Sequence, residues 1–303
     1  MTDRREGADP DGPLRPPPEE RSPAELLAFG VVNLDKPPGP SAHQVSAWVR
    51  DLAGVERAAH AGTLDPSVTG CLPVLTGDAT RVARALLGPK EYVAVLELHR
   101  RAPEDLDVVV EAFEGPILQR PPRKSAVDRS PRVRRVYDLT AVESESRRLL
   151  LRVDCESGTY VRKLCHDLGL ALGTGANMGD LRRTAADPFD DTDLVTLHDL
   201  ADVLAFHEAG DPEPLYGAVD PAERALEALP SVTIARSAAR EVAEGAPVYA
   251  PGVLEVDDAD ANADEEPLVA CYTPDGAAVC LGRLVGDPDA DEGTVVDLER
   301  VLV

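Results

Sequence analysis

The sequence predicts an α+β protein with two structural units, on three observations. Over residues 24–220, segments that alternate between apolar and polar side chains, as strands do, occur between segments whose apolar side chains recur every three or four positions, as in amphipathic helices. Over residues 221–303 the predicted elements are mainly strands. The acidic charge is concentrated at the same end, because residues 199–303 contain 24 acidic and 5 basic side chains, which is −19 of the net charge of −24. We therefore predict a larger mixed unit followed by a small β-rich unit.

Residues 1–23 precede both units and are rich in proline and charged side chains. Such a segment buries too little apolar surface to offset the entropy lost when a chain is ordered. We interpret it as a disordered leader.

The first unit begins with a predicted strand over residues 30–34 and a proline-rich turn. Ser41 then opens a helix, because Gln44 completes a capping box and apolar side chains follow at helical spacing up to Gly54. The later patterns predict strands over 93–99 and 149–155, and helices over about 78–87, over about 160–172 and from Thr196 onwards.

Three segments of the second unit have the pattern of strands, namely 248–256, 268–273 and 277–285. The sequence Pro-Asp-Gly at 274–276 predicts a hairpin turn between the last two. The acidic run 257–266 is expected to be a surface loop.

The composition restricts the class of protein. The chain has 55 acidic and 31 basic residues, and only four of the basic ones are lysines. An acidic, lysine-poor surface suits a cytoplasm with very high salt, where the screening length falls to about 3 Å near 1 M and the self-repulsion of the surface is muted. The longest apolar runs are too short for a membrane span and no signal-peptide core is found, so we expect a cytoplasmic protein.

The five cysteines are an odd number and form no C-x-x-C pair. This pattern indicates reduced thiols and argues against a disulfide framework or a zinc site. Cys271 and Cys280 flank the predicted hairpin turn, and we interpret them as two buried thiols.

Asp65 is the first candidate functional residue, at the centre of a segment dense in Gly, Thr and Pro. Pro66 restricts Asp65 to an extended or turn conformation, and an apolar run at 71–75 is expected to enter the core. A carboxylate on a stiff turn beside buried structure suits a positioned nucleophile. The other interpretation is that Asp65 only stabilises the turn, as Asp often does.

Arg162 lies in the first turn of the predicted helix 160–172, where the helix dipole disfavours a cation. We therefore expect an anionic partner for it, either Asp65 or the nearby Glu156. Tyr92, at the start of a predicted strand, is either a core residue or a ring on which a base stacks.

Residues 119–135 are the local exception to the acidic balance, with seven basic side chains and one acid. In so acidic a chain this cluster indicates contact with phosphates, and a solvated loop that balances charge elsewhere is the alternative. Arg182 and Arg183 add two cations that could face the same groove.

Three motifs resemble the TruB family of RNA pseudouridine synthases, and most closely its archaeal, dyskerin-like branch, the catalytic subunit of H/ACA guide-RNA particles. They are H-A-G-T-L-D-P at 60–66, C-E-S-G-T-Y-V-R-K-L-C-H-D-L-G at 155–169 and L-R-R-T at 181–184. The region from about residue 229 looks like a PUA RNA-binding domain. The resemblance implies a mixed, largely antiparallel sheet flanked by helices around a central cleft, with a small C-terminal β-rich PUA domain.

The resemblance also implies roles for single residues, and no metal or organic cofactor. Asp65 matches the catalytic aspartate, Arg162 the arginine that pairs with it, and Tyr92 the tyrosine that stacks on the target base and assists proton removal. His60 matches the histidine that helps to displace the base, and Leu181 the leucine packed under it. We expect phosphate contacts from Arg123, Lys124, Arg182 and Arg183.

Two RNA substrates are consistent with this resemblance. One is ribosomal RNA, modified with an H/ACA guide RNA and small H/ACA proteins as partners, and the other is uridine 55 in the T-loop of tRNA. A non-catalytic RNA-binding scaffold of an H/ACA-type particle is the alternative. A hydrolase of small glycosides is disfavoured, because only one carboxylate stands out where most such enzymes use a pair.

Overall fold

The computed structural model describes residues 14–121, 128, 130–257 and 266–303. Within them the larger unit is built on one ten-stranded sheet, in the order β10-β1-β3-β8-β4-β7-β6-β5, with β2 added to β3 and β9 to β8. The strands are β1 (Phe29–Lys36), β2 (Ala58–His60), β3 (Thr69–Gly77), β4 (Lys90–Leu98), β5 (Gly115–Gln119), β6 (Arg132–Glu145), β7 (Arg148–Cys155), β8 (Ala176–Ala186), β9 (Phe189–Asp190) and β10 (Asp220–Pro221).

The described strands of this sheet pair antiparallel except for β3 and β8, which run parallel. The sheet is therefore mixed and largely antiparallel, which confirms the predicted fold class. The apolar run at 71–75 lies in β3, and all of its side chains are buried. The run pairs with β1 along its whole length, while on the other side of β3 residues 69–70 pair with β8 and residues 74–76 pair with β2, so β3 is an interior strand of the sheet.

The described α-helices are α1 (Pro23–Ala28), α2 (Ala42–Ala53), α3 (Leu106–Glu111), α4 (Val161–Ala171), α5 (Leu197–Glu208), α6 (Glu213–Tyr216) and α7 (Arg236–Ala243). Helices α1 to α6 share one apolar core with the strands of the large sheet. No described helix has the length and apolar character needed to cross a membrane.

The predicted helix ends are confirmed where local capping signals exist. Ser41 accepts a hydrogen bond from the Gln44 N–H at 3.2 Å, and Gly54 ends α2 in the left-handed conformation with φ +64°. Thr196 and Asp199 form a reciprocal capping box at the start of α5.

The predicted helix over 78–87 is wrong. Only a 3₁₀ helix at Asp78–Val82 forms, and turns follow it. The buried Lys90 Nζ donates to the carbonyls of Leu86 and Gly88, at 3.2 and 2.8 Å, just before β4 begins.

The smaller unit is a six-stranded sheet, in the order β12-β16-β15-β14-β11-β13 among the residues described. Its strands are β11 (Ser231–Ile234), β12 (Val248–Tyr249), β13 (Val253–Asp257), β14 (Leu268–Tyr272), β15 (Ala278–Leu284) and β16 (Thr294–Val301). The hairpin between β14 and β15 confirms the predicted turn, in which Gly276 has φ +86°. Most of the predicted acidic loop, residues 258–265, lies outside the described residues.

The prediction of a disordered leader is wrong for residues 14–23, and residues 1–13 lie outside the described part of the chain. Arg15 donates to the carbonyl of Leu302 from Nε at 3.1 Å, and the buried Arg21 binds both carboxylate oxygens of Glu223, at 2.7 and 2.6 Å. The segment is thus held mainly by arginine side chains rather than by apolar burial, which is why its composition pointed to disorder.

The predicted boundary between the units falls within β10, which still pairs with β1 of the large sheet. The second sheet begins ten residues later, at Ser231.

Candidate active site

Asp65 lies in the loop between β2 and β3, residues 61–68, which we call the Asp65 loop. The ends of this loop are held close together, because β2 and β3 pair antiparallel with His60 opposite Val74. Two backbone bonds shape it: Val68 N–H donates to the Asp65 carbonyl at 3.0 Å, and Gly39 N–H donates to the Pro66 carbonyl at 2.8 Å. The Asp65 side chain is 51% exposed, so its carboxylate is accessible from solvent.

Lys36 holds the Asp65 loop from below. Its side chain is fully buried, and Nζ donates to the carbonyls of Pro37, Pro66 and Val68 at 2.9, 3.0 and 2.8 Å. Burial lowers the pKa of Lys36, and the nearby charge of Asp65 opposes that shift. Sequence reasoning missed Lys36. The usable signal was that this lysine, one of only four in the chain, ends an apolar strand and precedes two prolines.

Arg183 holds the same loop from β8, and the prediction that it contacts phosphates is wrong. Its side chain is 1% exposed and donates to the Cys71 carbonyl at 2.7 Å and the Gly62 carbonyl at 3.3 Å. The parallel pairing of β3 with β8 sets Arg183 opposite Gly70. Gly70 has φ +95°, and a Cβ there would lie 2.2 Å from the Arg183 carbonyl oxygen, so this close approach requires glycine.

Arg162 and Asp65 form an ion pair, as one of the two sequence interpretations predicted. Nη2 of Arg162, in the first turn of α4, donates to Oδ2 of Asp65, and both side chains are 51% exposed. Glu156, the alternative partner, instead accepts from Arg134 Nη1 at 2.7 Å. The carboxylate supplies the anion that a cation at a helix N-terminus needs.

Tyr92 lies on β4 and Leu181 on the neighbouring strand β8, which also carries Arg183. Tyr92 on β4 is 9% exposed and lies opposite Arg183 on β8, while Leu181 lies opposite Ala94 and is partly buried against the core. Burial raises the pKa of Tyr92, and the cation of Arg183 opposes that shift. The phenol is therefore protonated at neutral pH.

His60, at the end of β2, contacts a second histidine. Its Nε2 lies 3.3 Å from Nδ1 of His43 on α2, and the two rings meet edge to face with centroids 4.8 Å apart. Burial, then His43, then Arg183 lower the pKa of His60 to about 4. His60 is therefore neutral at physiological pH. Sequence reasoning gave His43 no role, because its proximity to His60 depends on how α2 packs against β2.

Two of the predicted phosphate-binding residues, Arg123 and Lys124, lie outside the described residues. Arg182 is partly exposed and pairs with both oxygens of Asp35 at 2.9 and 3.3 Å. In the described part of the chain, no group of three or more His, Cys, Asp or Glu side chains is placed to hold a metal ion.

Four family models match successive parts of the chain. They are a DKCLD (NUC011) domain over residues 8–46, the N-terminal domain of TruB family pseudouridylate synthases over 50–105, the C-terminal domain of tRNA pseudouridylate synthase B over 162–227, and a PUA domain over 230–302.

Similar proteins span nearly the same length. A protein of Halobacterium salinarum named Probable tRNA pseudouridine synthase B is 67% identical over 96% of this chain and 99% of its own. A protein of the same name from Haloarcula marismortui is 63% identical over 96% of this chain and 94% of its own.

Two solved structures are similar over 99% of this chain. A chain in a crystal structure of a Cbf5–Nop10–Gar1 complex superposes with a TM-score of 0.90 at 44% identity over 92% of its own length. A chain in a structure of an H/ACA RNP bound to a substrate RNA containing 2′-deoxyuridine superposes with a TM-score of 0.88 at 42% identity over 93% of its length. With these similarities over almost its whole length, and with its fold and motifs, the chain belongs to the TruB family and is a pseudouridine synthase.

Proposed function

We propose that this pseudouridine synthase modifies uridines in ribosomal RNA as the catalytic subunit of an H/ACA guide-RNA particle, with small H/ACA proteins and a guide RNA as partners. The similarity to a chain that was solved with Nop10 and Gar1, over 99% of the present chain, supports these partners. A second substrate, uridine 55 in the T-loop of tRNA, is supported by the names of the curated relatives. We place the reaction in the cytoplasm, as the composition led us to expect.

The observation that best supports the proposed reaction is the exposed ion pair of Asp65 and Arg162. Asp65 attacks the target nucleoside while the bond between uracil N1 and the ribose breaks. The uracil turns, its C5 bonds to C1′ of the ribose, and the bond between Asp65 and the nucleoside breaks, which regenerates the carboxylate. C5 loses its proton and N1 gains one, so that the product is an isomer of the substrate and neither cofactor nor metal is consumed.

Arg162 positions the Asp65 carboxylate for this step. Its guanidinium binds the carboxylate that attacks. The hydrogen bond to Oδ2 also aims the side chain, while Oδ1 stays available to the nucleoside. Because both side chains are half exposed, a nucleotide can reach them without unfolding of the loop.

The remaining site residues handle the base. A uridine within structured RNA must leave its stack before it reaches Asp65, which costs a few kcal/mol. We propose that His60 occupies the position that the base leaves, that Tyr92 stacks on the uracil and assists removal of the C5 proton, and that Leu181 packs beneath it. Since the phenol of Tyr92 is protonated in the free enzyme, it begins the reaction as a hydrogen-bond donor.

Tritium release from RNA labelled at uridine C5 tests the reaction, because rejoining through C5 expels the label. We expect release from a ribosomal RNA segment only when a matching guide RNA and the small proteins are added. We expect release from a tRNA transcript without a guide if the second substrate is also used. Deletion of the gene, followed by mapping of pseudouridine in both RNA pools, assigns the substrates in the cell.

A non-catalytic RNA scaffold remains the alternative function. A scaffold needs RNA-binding surfaces. It does not need an accessible Asp65 carboxylate that binds Arg162, or a loop whose carbonyls are bound by the buried Lys36 and Arg183. The absence of tritium release under every RNA combination, together with retained RNA binding, would favour it.

A further inference from the structure

Three arginines converge on one carboxylate outside the active site. Asp78 accepts hydrogen bonds from Arg15 Nη2 at 3.1 Å through Oδ2 and from Arg57 Nη2 at 3.0 Å through Oδ1, and Arg81 Nη2 forms an ion pair with Oδ1 at 3.3 Å. We call these four residues the Asp78 cluster.

The cluster lies where the N-terminal segment, the large sheet and the end of the chain meet. Arg15 also binds the carbonyl of Leu302, and Arg81 Nη1 lies 3.5 Å from the carbonyl of Val301. Arg57 directly precedes β2, whose last residue is His60. At about 3.3 Å per residue along a strand, the backbone of Arg57 lies about 10 Å from that of His60.

The charge of the cluster is not balanced internally. Three guanidinium groups carry three positive charges and Asp78 carries one negative charge, which leaves a surplus of two in a chain whose net charge is −24. One arginine suffices to neutralise a carboxylate, and like charges this close together repel one another. An anion bound beside Asp78 removes that repulsion.

The arginines of the Asp78 cluster differ in their exposure and in their contacts. Arg15 has only 18% of its side chain exposed, binds a main-chain carbonyl and stacks 4.3 Å above the ring of Phe29, so it is a structural residue. Arg57 is 56% exposed, and its guanidinium donates one hydrogen bond among the described residues, from Nη2 to Asp78. Nη2 carries a second proton, so the guanidinium can still present one two-nitrogen edge to a phosphate.

We propose that Arg57 and Arg81 form a binding site for the phosphodiester backbone of the RNA that carries or presents the target uridine. Oδ1 of Asp78 contacts both guanidinium groups and so fixes their positions. This inference rests on the proposed RNA substrate and adds a contact site to it.

The composition of the C-terminal unit favours such a site. The C-terminal unit carries few basic side chains, and Arg183, expected to bind phosphates, is buried beneath the Asp65 loop. Electrostatic RNA binding needs cations that can displace counterions from phosphates. The Asp78 cluster supplies exposed cations at the junction of the two units, beside the strand that leads to the active site.

The test measures binding of the full chain to a fluorescein-labelled hairpin RNA with an H/ACA guide sequence, by fluorescence anisotropy, between about 0.3 and about 2 M KCl. For Arg57→Gln and for Arg81→Gln we expect a dissociation constant about fivefold higher at the lowest salt and a slope of log K against log[KCl] that is smaller by about one. Arg57→Lys keeps the charge and should keep the parental slope. Arg50→Gln is the matched control, because Arg50 is 44% exposed and paired with one carboxylate, and it should bind like the parent.

Thermal unfolding shows whether each variant is folded, and Arg57→Gln should be, since it removes one exposed hydrogen bond. If folded Arg57→Gln and Arg81→Gln bind with the affinity and salt slope of Arg50→Gln, the inference is wrong. Tritium release by the parent protein separates the two proposals: an active parent with unaffected variants refutes only the phosphate site, whereas an inactive parent refutes the proposed function.

Discussion

Arg162 and Asp65 are 97 residues apart in the sequence, and Nη2 of the arginine donates a hydrogen bond to Oδ2 of the aspartate. The pair joins the first turn of α4 to the loop between β2 and β3. Lys36 and Arg183 also hold Asp65 in position indirectly, because they donate hydrogen bonds to carbonyls of the Asp65 loop. The Asp65 carboxylate is thereby given one fixed position without being buried, and so stays accessible.

Loss of the arginine should impair the chemical step. We expect Arg162→Met to lower kcat by about 10²-fold or more, because a preorganised charged hydrogen bond to the reacting group is lost. Single-turnover tritium release measures the effect. Arg152→Met is the matched control, since Arg152 is also 51% exposed and pairs at 3.3 Å with Asp138, away from the Asp65 loop. Equal activity of the two variants would contradict the role of Arg162.

Loss of the buried lysine should destabilise the loop. Lys36→Met removes three hydrogen bonds from a buried side chain, and the Pro37 and Val68 carbonyls lose the Nζ donor, for which we expect a loss of about 2–4 kcal/mol in the free energy of unfolding. Denaturant unfolding measures it. Lys163→Met, which removes a partly exposed lysine paired with Asp167, should cost less than about 1 kcal/mol. Similar costs for both variants would mean that Lys36 does not hold the loop.

His60 should remain neutral over the physiological pH range. Its pKa is lowered from 6.5 to about 4, by burial first and by His43 and Arg183 after it. Between these two values the unfolded chain binds a proton that the folded protein does not. The stability contributed by neutral His60 is therefore complete above pH 6.5 and is lost as the pH falls towards 4.

An NMR titration of the histidine ring protons checks this directly. The His60 signal should titrate below pH 5 in the parent protein, and its midpoint should rise in His43→Ala because one cause of the shift is removed. A midpoint near 6.5 in the parent would show that the ring is not held in the observed environment.

The pair of Arg21 and Glu223 should be essential for attachment of the N-terminal segment. Both side chains are buried and bind through two hydrogen bonds, and Glu223 also accepts from the Ala278 N–H at 3.0 Å. Breaking the pair with Arg21→Met leaves a buried charge and should cost about 3–5 kcal/mol in unfolding free energy, whereas the double variant with Glu223→Leu should recover part of it. A single variant as stable as the parent would contradict the observed packing.

Local signals account for what the sequence could predict. Ser41 and Gly54 bound α2 because a cap and a left-handed glycine act within a few residues. The partner of Arg162 was reduced to two choices because a cation at a helix start requires a nearby anion. The motif around Asp65 then pointed to the site that the structure forms.

Long-range pairing explains what the sequence could not predict. Arginine and lysine are rarely buried, so composition placed Arg183 at the surface and gave Lys36 no role. Their positions depend on which strands are neighbours, and the parallel pairing of β3 with β8 joins segments more than one hundred residues apart. Likewise, residues 83–86 form turns where local spacing favoured a helix, and the side chain of Lys90, outside the predicted helix, binds the carbonyls of residues 86 and 88.

The most direct test of the account is tritium release by Asp65→Asn, an isosteric change that removes the negative charge and leaves the turn intact. We predict no release above background from an RNA that the parent protein modifies, with RNA affinity within a few fold of the parent. Release at the parental rate would contradict the assignment of Asp65 as the nucleophile, and with it the role given to the arginine that holds it.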